Sequence, residues 1–122
     1  MKKIIITAIM LLGMAFSIPV NGSAYNSLRN QTDSTPNITA TGTRTRPGVI
    51  AVSRDLLRSY PYGTRVTLSD PTGKMNHLLK GRVFIVEDTM NKSRYNSVDI
   101  WMRSYNSAIQ FGRRTLIMNK LR

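Results

Sequence analysis

Short apolar runs separated by turn residues make up most of the chain after residue 24, and none is longer than four residues. Val49–Val52 and Val83–Val86 are the longest, and β-branched side chains dominate both, which is typical of strands. A Pro-Gly pair at 47–48 introduces the first run, and Asp-Pro-Thr-Gly at 70–73 stands before the second. Both are turn signals. The pattern therefore predicts a mainly β fold.

Six such segments are strand candidates, which suits a small closed barrel with one or two short helices. The segment through Phe84 and Val86 is apolar on both faces, so it belongs at the centre of the sheet. Ile100 and Leu116 lie in two further apolar segments, and we expect all four side chains in the core. The strand candidates are 38–41, 49–52, 64–68, 78–86, 98–102 and 115–118, and the helical candidates are 53–57 and 104–111.

The first 24 residues have the organisation of a secretory signal peptide. Lys2 and Lys3 precede an apolar run at 4–16, and Gly22 and Ala24 fit the small-residue positions before a cleavage site. A membrane anchor is the alternative, but this run of 13 residues falls short of the ~20 that span a bilayer. We therefore expect a signal peptide at 1–24, a flexible leader at 25–37 and one domain at 38–122. The protein would be exported to the periplasm, the cell envelope or the extracellular space, without a stable membrane anchor.

Charge and the scarcity of metal-binding side chains limit the possible partners. Without residues 1–24 the chain has 16 Lys and Arg against six acidic residues, a net charge of +10, which attracts polyanions. It has no Cys and one His, His77, so a thiolate or His-rich zinc site lacks ligands, and we expect no metal and no cofactor. Aromatic residues are not interleaved with Lys and Arg as in single-strand nucleic-acid binders. We expect a monomer with no nucleic-acid partner.

Two of the six acidic residues stand out, because Asp99 lies inside an apolar strand candidate and Asp88 follows another. Strand alternation puts Asp99 and Trp101 on one face. A carboxylate beside a Trp suits a sugar-binding surface, and burial there would raise the pKa of the Asp towards the range of a general acid. The alternative is an Asp that accepts backbone N–H bonds or pairs with a basic side chain. On spacing alone, this structural role is favoured.

Five motifs, in order, resemble the three-Asp ("3D") domain family. They are Ile50–Leu57, Tyr62–Val66, Val86–Met90, Val98–Met102, and Ala108 with Phe111–Arg114. That family is related to the C-terminal part of membrane-bound lytic transglycosylase A and, more distantly, to rare-lipoprotein-A-like proteins. The resemblance covers residues 38–120. It implies a six-stranded double-psi β-barrel that acts on the glycan strands of peptidoglycan, cleaving between N-acetylmuramic acid and N-acetylglucosamine.

Carried over by position, the resemblance makes Asp99 the catalytic acid/base and Asp88 its supporting carboxylate. Thr89, Asp55 and Trp101 become substrate-binding candidates. Two departures stand out: Ser53 occupies the position of the family's first Asp, so that either Asp55 replaces it or the third acid is absent, and a Gly-Gly segment after the Asp-Thr pair is replaced by Met90–Asn96.

Two functions follow from these observations. The first is a small lytic transglycosylase, and the second is a non-catalytic module that binds peptidoglycan or organises the envelope. Loss of an acid favours the module, whereas Asp88, Thr89 and Asp99 favour the enzyme. The discriminating feature is whether Asp88 and Asp99 face one open groove in the folded protein.

Overall fold

A computed structural model describes residues 17–27 and 37–122. Within these residues six strands close into a barrel in the order β1-β5-β2-β4-β3-β6. The strands are β1 (Ser17–Tyr25), β2 (Val49–Val52), β3 (Arg65–Ser69), β4 (Phe84–Thr89), β5 (Ser97–Trp101) and β6 (Arg114–Lys120). A 3-10 helix at Arg54–Leu56 and two α-helices, α1 (Asn76–Leu79) and α2 (Tyr105–Phe111), lie between them. None of the helices in the described ranges is long and apolar enough to cross a bilayer.

Two of the six strand pairs are parallel, β1 with β5 and β2 with β4, and the other four are antiparallel. Parallel neighbours need crossover connections, so the chain passes over the barrel twice before it closes. The prediction of a mainly β fold, with six strands closed into a barrel and few short helices, is confirmed.

The barrel interior is filled by apolar side chains from every strand. The predicted core residues Phe84, Val86, Ile100 and Leu116 all belong to it, and none is more than 3% exposed. Phe111 of α2 is fully buried in the same core, which places this helix across one end of the barrel. α2 begins at Ser104, whose hydroxyl accepts a hydrogen bond from the Ser107 N–H at 3.3 Å.

The first strand of the barrel lies where the sequence predicted the end of a signal peptide. β1 pairs with β5 from Asn21 to Tyr25 and with β6 from Ser17 to Gly22. The barrel thus includes residues on the N-terminal side of residue 38, where the predicted domain begins, and Tyr25 lies in β1. The rest of the predicted signal peptide and leader, residues 1–16 and 28–36, lies outside the described residues. Apolar or small residues recur at every second position of β1 from Ile18 to Ala24, and this pattern fits a cleavage region as well as a strand.

Gly22, one of the two residues assigned to the cleavage site, has a packing role in the barrel. A Cβ atom at this position would lie 2.6 Å from Cγ of Leu116 on β6. Pro19 has no N–H group to donate, and its position in β1 tolerates this. The backbone nitrogen of Pro19 faces β5, and β1 pairs with β5 only from Asn21 onwards.

Two other segments differ from the expected strands. Residues 38–41 form a turn closed by a single bridge between Ile38 and Arg44. The predicted strand at 78–86 begins only at Phe84, since Asn76–Leu79 forms α1. The Asn76 side chain donates to the carbonyl oxygen of Asp70 at 3.1 Å and accepts from its N–H at 2.8 Å, and this local bonding favours a turn of helix over a strand.

Candidate functional site

A lateral row of four residues crosses the outer face of the barrel. In register, Ser23 of β1 pairs with Asp99 of β5, Asp99 pairs with Ala51 of β2, and Ala51 pairs with Asp88 of β4. Residues paired across a sheet share a face. Because Val98 and Ile100 point into the core, Asp99 and the rest of this row point outward.

Asp88 reaches the outer face through an irregularity in β4. Ile50 pairs with Val86, but the next residue, Ala51, pairs with Asp88, so Glu87 is an extra residue. Without this bulge Asp88 would share the inward face of Val86, two residues earlier. A bulge re-aims side chains in this way. It brings Asp88 and Asp99 onto one face with only the small Ala51 between them.

Asp99 is a partly buried carboxyl group with one hydrogen bond from the described residues. Ser23 Oγ donates to its Oδ1 at 2.9 Å. Burial raises the pKa of Asp99 to about 6, and the negative charge of Asp88 adds to the rise, although the Ser23 hydrogen bond and the positive charges of Arg94 and Arg113 act in the opposite direction. Asp99 is thus protonated for part of the time near neutral pH, which a general acid requires.

Asp88, in contrast, is held by three donors. The N–H groups of Ala40 and Thr89 donate to its Oδ1 at 2.9 and 3.0 Å, and the Tyr25 hydroxyl donates to its Oδ2 at 3.2 Å. Burial and the nearby charge of Asp88 raise the pKa of Tyr25 above its ordinary value, so Tyr25 remains a donor. Asp88 thereby connects β1, β4 and the turn at 37–45.

The other two predicted binding residues near this row are already engaged. Thr89 Oγ1 shares a short hydrogen bond with the Tyr62 hydroxyl. Trp101 lies on the Asp99 face, as predicted, but it is 8% exposed and its Nε1 donates to Ser27 Oγ at 2.7 Å. Trp101 also lines a second cavity, of about 210 Å³, and its low exposure means that it does not offer an open surface beside Asp99.

Asp55 is not brought to the Asp88–Asp99 row. It is exposed on the 3-10 helix, and its carboxylate accepts the Asn96 N–H at 3.1 Å. Asn96 has a positive φ of 47° and its side chain donates to the Pro19 carbonyl at 3.2 Å. Asp55 therefore fixes the loop before β5. Ser53, at the position of the missing family Asp, is fully buried and accepts the Ser97 N–H at 2.9 Å.

A cavity of about 470 Å³ lies on the outer face of β1, β5 and β6. Ser23, the hydrogen-bond partner of Asp99, is part of its lining. The lining also includes Asn21, Tyr95 and Ser97, together with the arginines Arg94 and Arg113. The cavity is therefore open, polar and positively charged, and it is linked to Asp99 through the Ser23 hydrogen bond.

Sequence reasoning missed four residues of this site: Ser23, Tyr25, Arg94 and Arg113. The first two were assigned to the signal peptide and the leader. Alternation of apolar and polar residues from Ile18 to Tyr25 is the signal that could have identified them as part of a strand. The arginines lie in loops, and their approach to Asp99 depends on tertiary structure that no local pattern encodes.

The fold is shared with solved structures at low sequence identity. The apo expansin of Clavibacter michiganensis matches with a TM-score of 0.56 and 13% identity over 87% of this chain and 50% of that one. A mutant of that expansin in complex with cellohexaose matches with a TM-score of 0.54 and 14% identity over the same shares. MltA from E. coli matches with a TM-score of 0.48 and 15% identity over 75% of this chain and 29% of that one.

The chain thus spans half the length of the two expansin structures. At this identity the likeness to the two expansin structures shows a common barrel fold. No family model matches the chain, and no curated protein matches it.

Proposed function

We propose that this protein is an exported, peptidoglycan-active barrel that cleaves glycan strands with Asp99 as its general acid. The observation that carries the proposal is the environment of Asp99. Its carboxyl group has a pKa of about 6, raised chiefly by burial. It accepts a hydrogen bond from Ser23, which lines an open polar cavity, and it shares a row with a second carboxylate, Asp88.

Asp99 has the hydrogen-bonding freedom that proton donation requires. Ser23 occupies Oδ1, which leaves Oδ2 to carry the proton towards a glycosidic oxygen. As that bond breaks, the 6-hydroxyl of the muramic acid residue attacks the anomeric carbon and returns its proton to Asp99. The product is a 1,6-anhydro end, and no external water is consumed. This is the reaction implied by the resemblance to the three-Asp family.

The state of Asp88 favours this route over hydrolysis. A hydrolase with two carboxylates needs the second one free to activate water or to attack the sugar. Asp88 instead accepts bonds from Ala40, Thr89 and Tyr25. In our proposal it supports the site electrostatically, by keeping a negative charge near Asp99 that favours the protonated acid.

A non-catalytic glycan-binding module is the second candidate. Ser53 is a buried structural residue and Asp55 caps a loop, so the site has two acids on its face. The expansin structure with cellohexaose shows a polysaccharide fragment on a protein of this fold. Both candidates place a glycan over the same row, and they differ in whether Asp99 transfers a proton.

Digestion of purified peptidoglycan distinguishes the two candidates. Muropeptides are analysed by mass spectrometry for wild-type protein, for Asp99→Asn and for Asp33→Asn, which removes a carboxylate outside the described residues. We expect 1,6-anhydro products from wild type and Asp33→Asn, and a loss of about 100-fold or more for Asp99→Asn, since proton transfer contributes about 10²–10⁴. Wild-type protein that binds the glycan without releasing product would establish the module. Reducing-end products would mean hydrolysis.

A further inference from the structure

The cavity beside Asp99 contains two arginines for which the described structure shows no acidic partner. Arg94 and Arg113 are exposed and line the cavity, and both positive charges act on Asp99. Arg114, which also lines it, is engaged elsewhere: it bonds Asp70 at 3.0 Å and the Phe111 carbonyl at 2.9 Å. The cavity therefore has two available guanidinium groups.

The loop that carries Arg94 is fixed by its own hydrogen bonds. Asn91 accepts the Ser93 N–H through its side chain and the Arg94 N–H through its carbonyl, both at 3.0 Å. At the other end, Asp55 accepts the Asn96 N–H at 3.1 Å. This loop replaces the family's Gly-Gly segment. The loop therefore presents the charged side chain of Arg94, whereas a Gly-Gly segment would present only its backbone.

We propose that Arg94 and Arg113 form a subsite for a carboxylate carried by the sugar next to the scissile bond, with the ring of that sugar against Tyr95. Tyr95 lines the cavity and is 75% exposed, so its aromatic face is available to a sugar ring. Guanidinium groups bind carboxylates through paired, charge-assisted hydrogen bonds. Where no stem peptide is attached, N-acetylmuramic acid carries a free carboxylate on its lactyl group, and N-acetylglucosamine carries none.

This subsite rests on the proposed function, since it assigns the charged sugar to the Asp99 site. It also assigns a function to part of the positive net charge, because the two arginines would select an acidic glycan over a neutral one. Protonation of Asp99 should favour binding, because one fewer negative charge then lies near the bound carboxylate. Binding should weaken as salt screens the pair.

Calorimetric titration with an oligosaccharide of alternating N-acetylglucosamine and N-acetylmuramic acid tests the subsite. The Asp99→Asn protein is used so that the ligand stays intact. The competitors are the same oligosaccharide with its carboxyls converted to methyl amides, and a chitin oligosaccharide of equal length. Arg94→Gln and Arg113→Gln are each made in this background. The matched control is Arg58→Gln, because Arg58 is exposed and lines neither cavity.

We expect both neutral ligands, and each cavity-arginine variant, to bind about tenfold or more weakly, the loss typical of a charged hydrogen bond. Arg58→Gln should bind as its parent does. Equal affinity for the amidated ligand, or an equal loss in Arg58→Gln, would overturn the subsite. Since binding is measured without turnover, a selective subsite in a protein that never cleaves glycan would remove the enzyme and leave this inference standing.

We also infer, from β1, that export processing occurs before Ser17. Cleavage after Ala24 would remove eight of the nine residues of β1, and with them most of its pairing to β5 and β6. The sequence offers an earlier site: Gly13 and Ala15 have the spacing of small residues before a cleavage point. The apolar run before it, Ile4–Leu12, has the nine residues of an ordinary signal core.

Intact mass and N-terminal sequencing of the full-length protein recovered from an exporting bacterium test this inference. The expected mature N-terminus is Phe16, and Ala15→Leu should leave the unprocessed precursor. Maturation at Tyr25, or a protein that keeps residues 1–15, would overturn it.

Discussion

Asp88 and Asp99 lie on one face of the barrel because β4 gains an extra residue at Glu87. The bulge moves Asp88 from the inward parity of Val86 to the outward row, where Ala51 separates it from Asp99. Twice the spacing between strands puts the two Cα atoms about 9–10 Å apart. At that distance the two carboxyls do not share a proton directly, but the charge of Asp88 still favours protonated Asp99.

Protonation of Asp99 should make stability and activity depend on pH in the same range. Its folded-state pKa of about 6 exceeds the ordinary value of 3.8, so the folded protein binds this proton more tightly. The resulting stabilisation is fully present below about pH 4 and is lost as pH rises through 6. Urea unfolding between pH 4.5 and 7.5 should show wild type losing stability relative to Asp99→Asn. Cleavage should fall over the same range as the acid ionises. Parallel curves for the two proteins would contradict the raised pKa.

The hydrogen bonds to Asp88 should stabilise the fold. Asp88→Ala removes the acceptor of an exposed N–H at Ala40 and a half-buried N–H at Thr89, which should cost about 0.5–1.5 kcal/mol because water can replace the lost acceptor. Tyr25→Phe removes one donor and costs about 0.5–1.5 kcal/mol. Because both changes break the Tyr25–Asp88 bond, their combined cost should be less than the sum of the two. Chemical denaturation of the two single variants and the double variant measures this coupling, and strict additivity would show that the bond contributes nothing.

The sequence predicted the structure correctly where a local pattern is compatible with only one structure. The apolar strands through Val86 and Ile100 were predicted, and so was the shared face of Asp99 and Trp101. Prediction from the sequence failed where one pattern fits two different structures, or where the structure depends on contacts between distant segments of the chain. Small residues such as Gly22 and Ala24 suit both a cleavage site and a strand that packs closely. The bulge at Glu87 depends on the register with β2, which a single strand does not encode.

Asp70 should give a pH dependence of the opposite sign. Its side chain is buried, and although burial itself raises the pKa, hydrogen bonds from Thr72, Met75 and Arg114 outweigh it and lower the pKa of Asp70 to about 2. Since this value lies below the ordinary 3.8, the stabilisation is present above about pH 4 and is lost as pH falls towards 2.

Acid titration of stability tests this assignment. Wild type should lose stability between pH 4 and 2, whereas Asp70→Asn should be less stable at neutral pH and change less over the acid range. The control is Asp55→Asn, which removes an exposed carboxylate from a loop contact. If the free energy of unfolding of Asp70→Asn falls as steeply as that of wild type between pH 4 and 2, other carboxylates control acid unfolding.

Gly22 provides a direct test of whether β1 belongs to the barrel. Gly22→Ala places a Cβ atom 2.6 Å from Cγ of the fully buried Leu116, so one of the two strands must shift, at a cost of roughly 1–3 kcal/mol for overpacking. Leu116→Ala alone opens a cavity and costs roughly 2–5 kcal/mol. In the double variant the new methyl group enters the space left by Leu116, so the two costs should not add. The measurement is equilibrium denaturation of all four proteins of the cycle. A Gly22→Ala variant as stable as wild type, with Leu116→Ala unaffected by it, would place residues 17–25 outside the barrel and restore the later cleavage site.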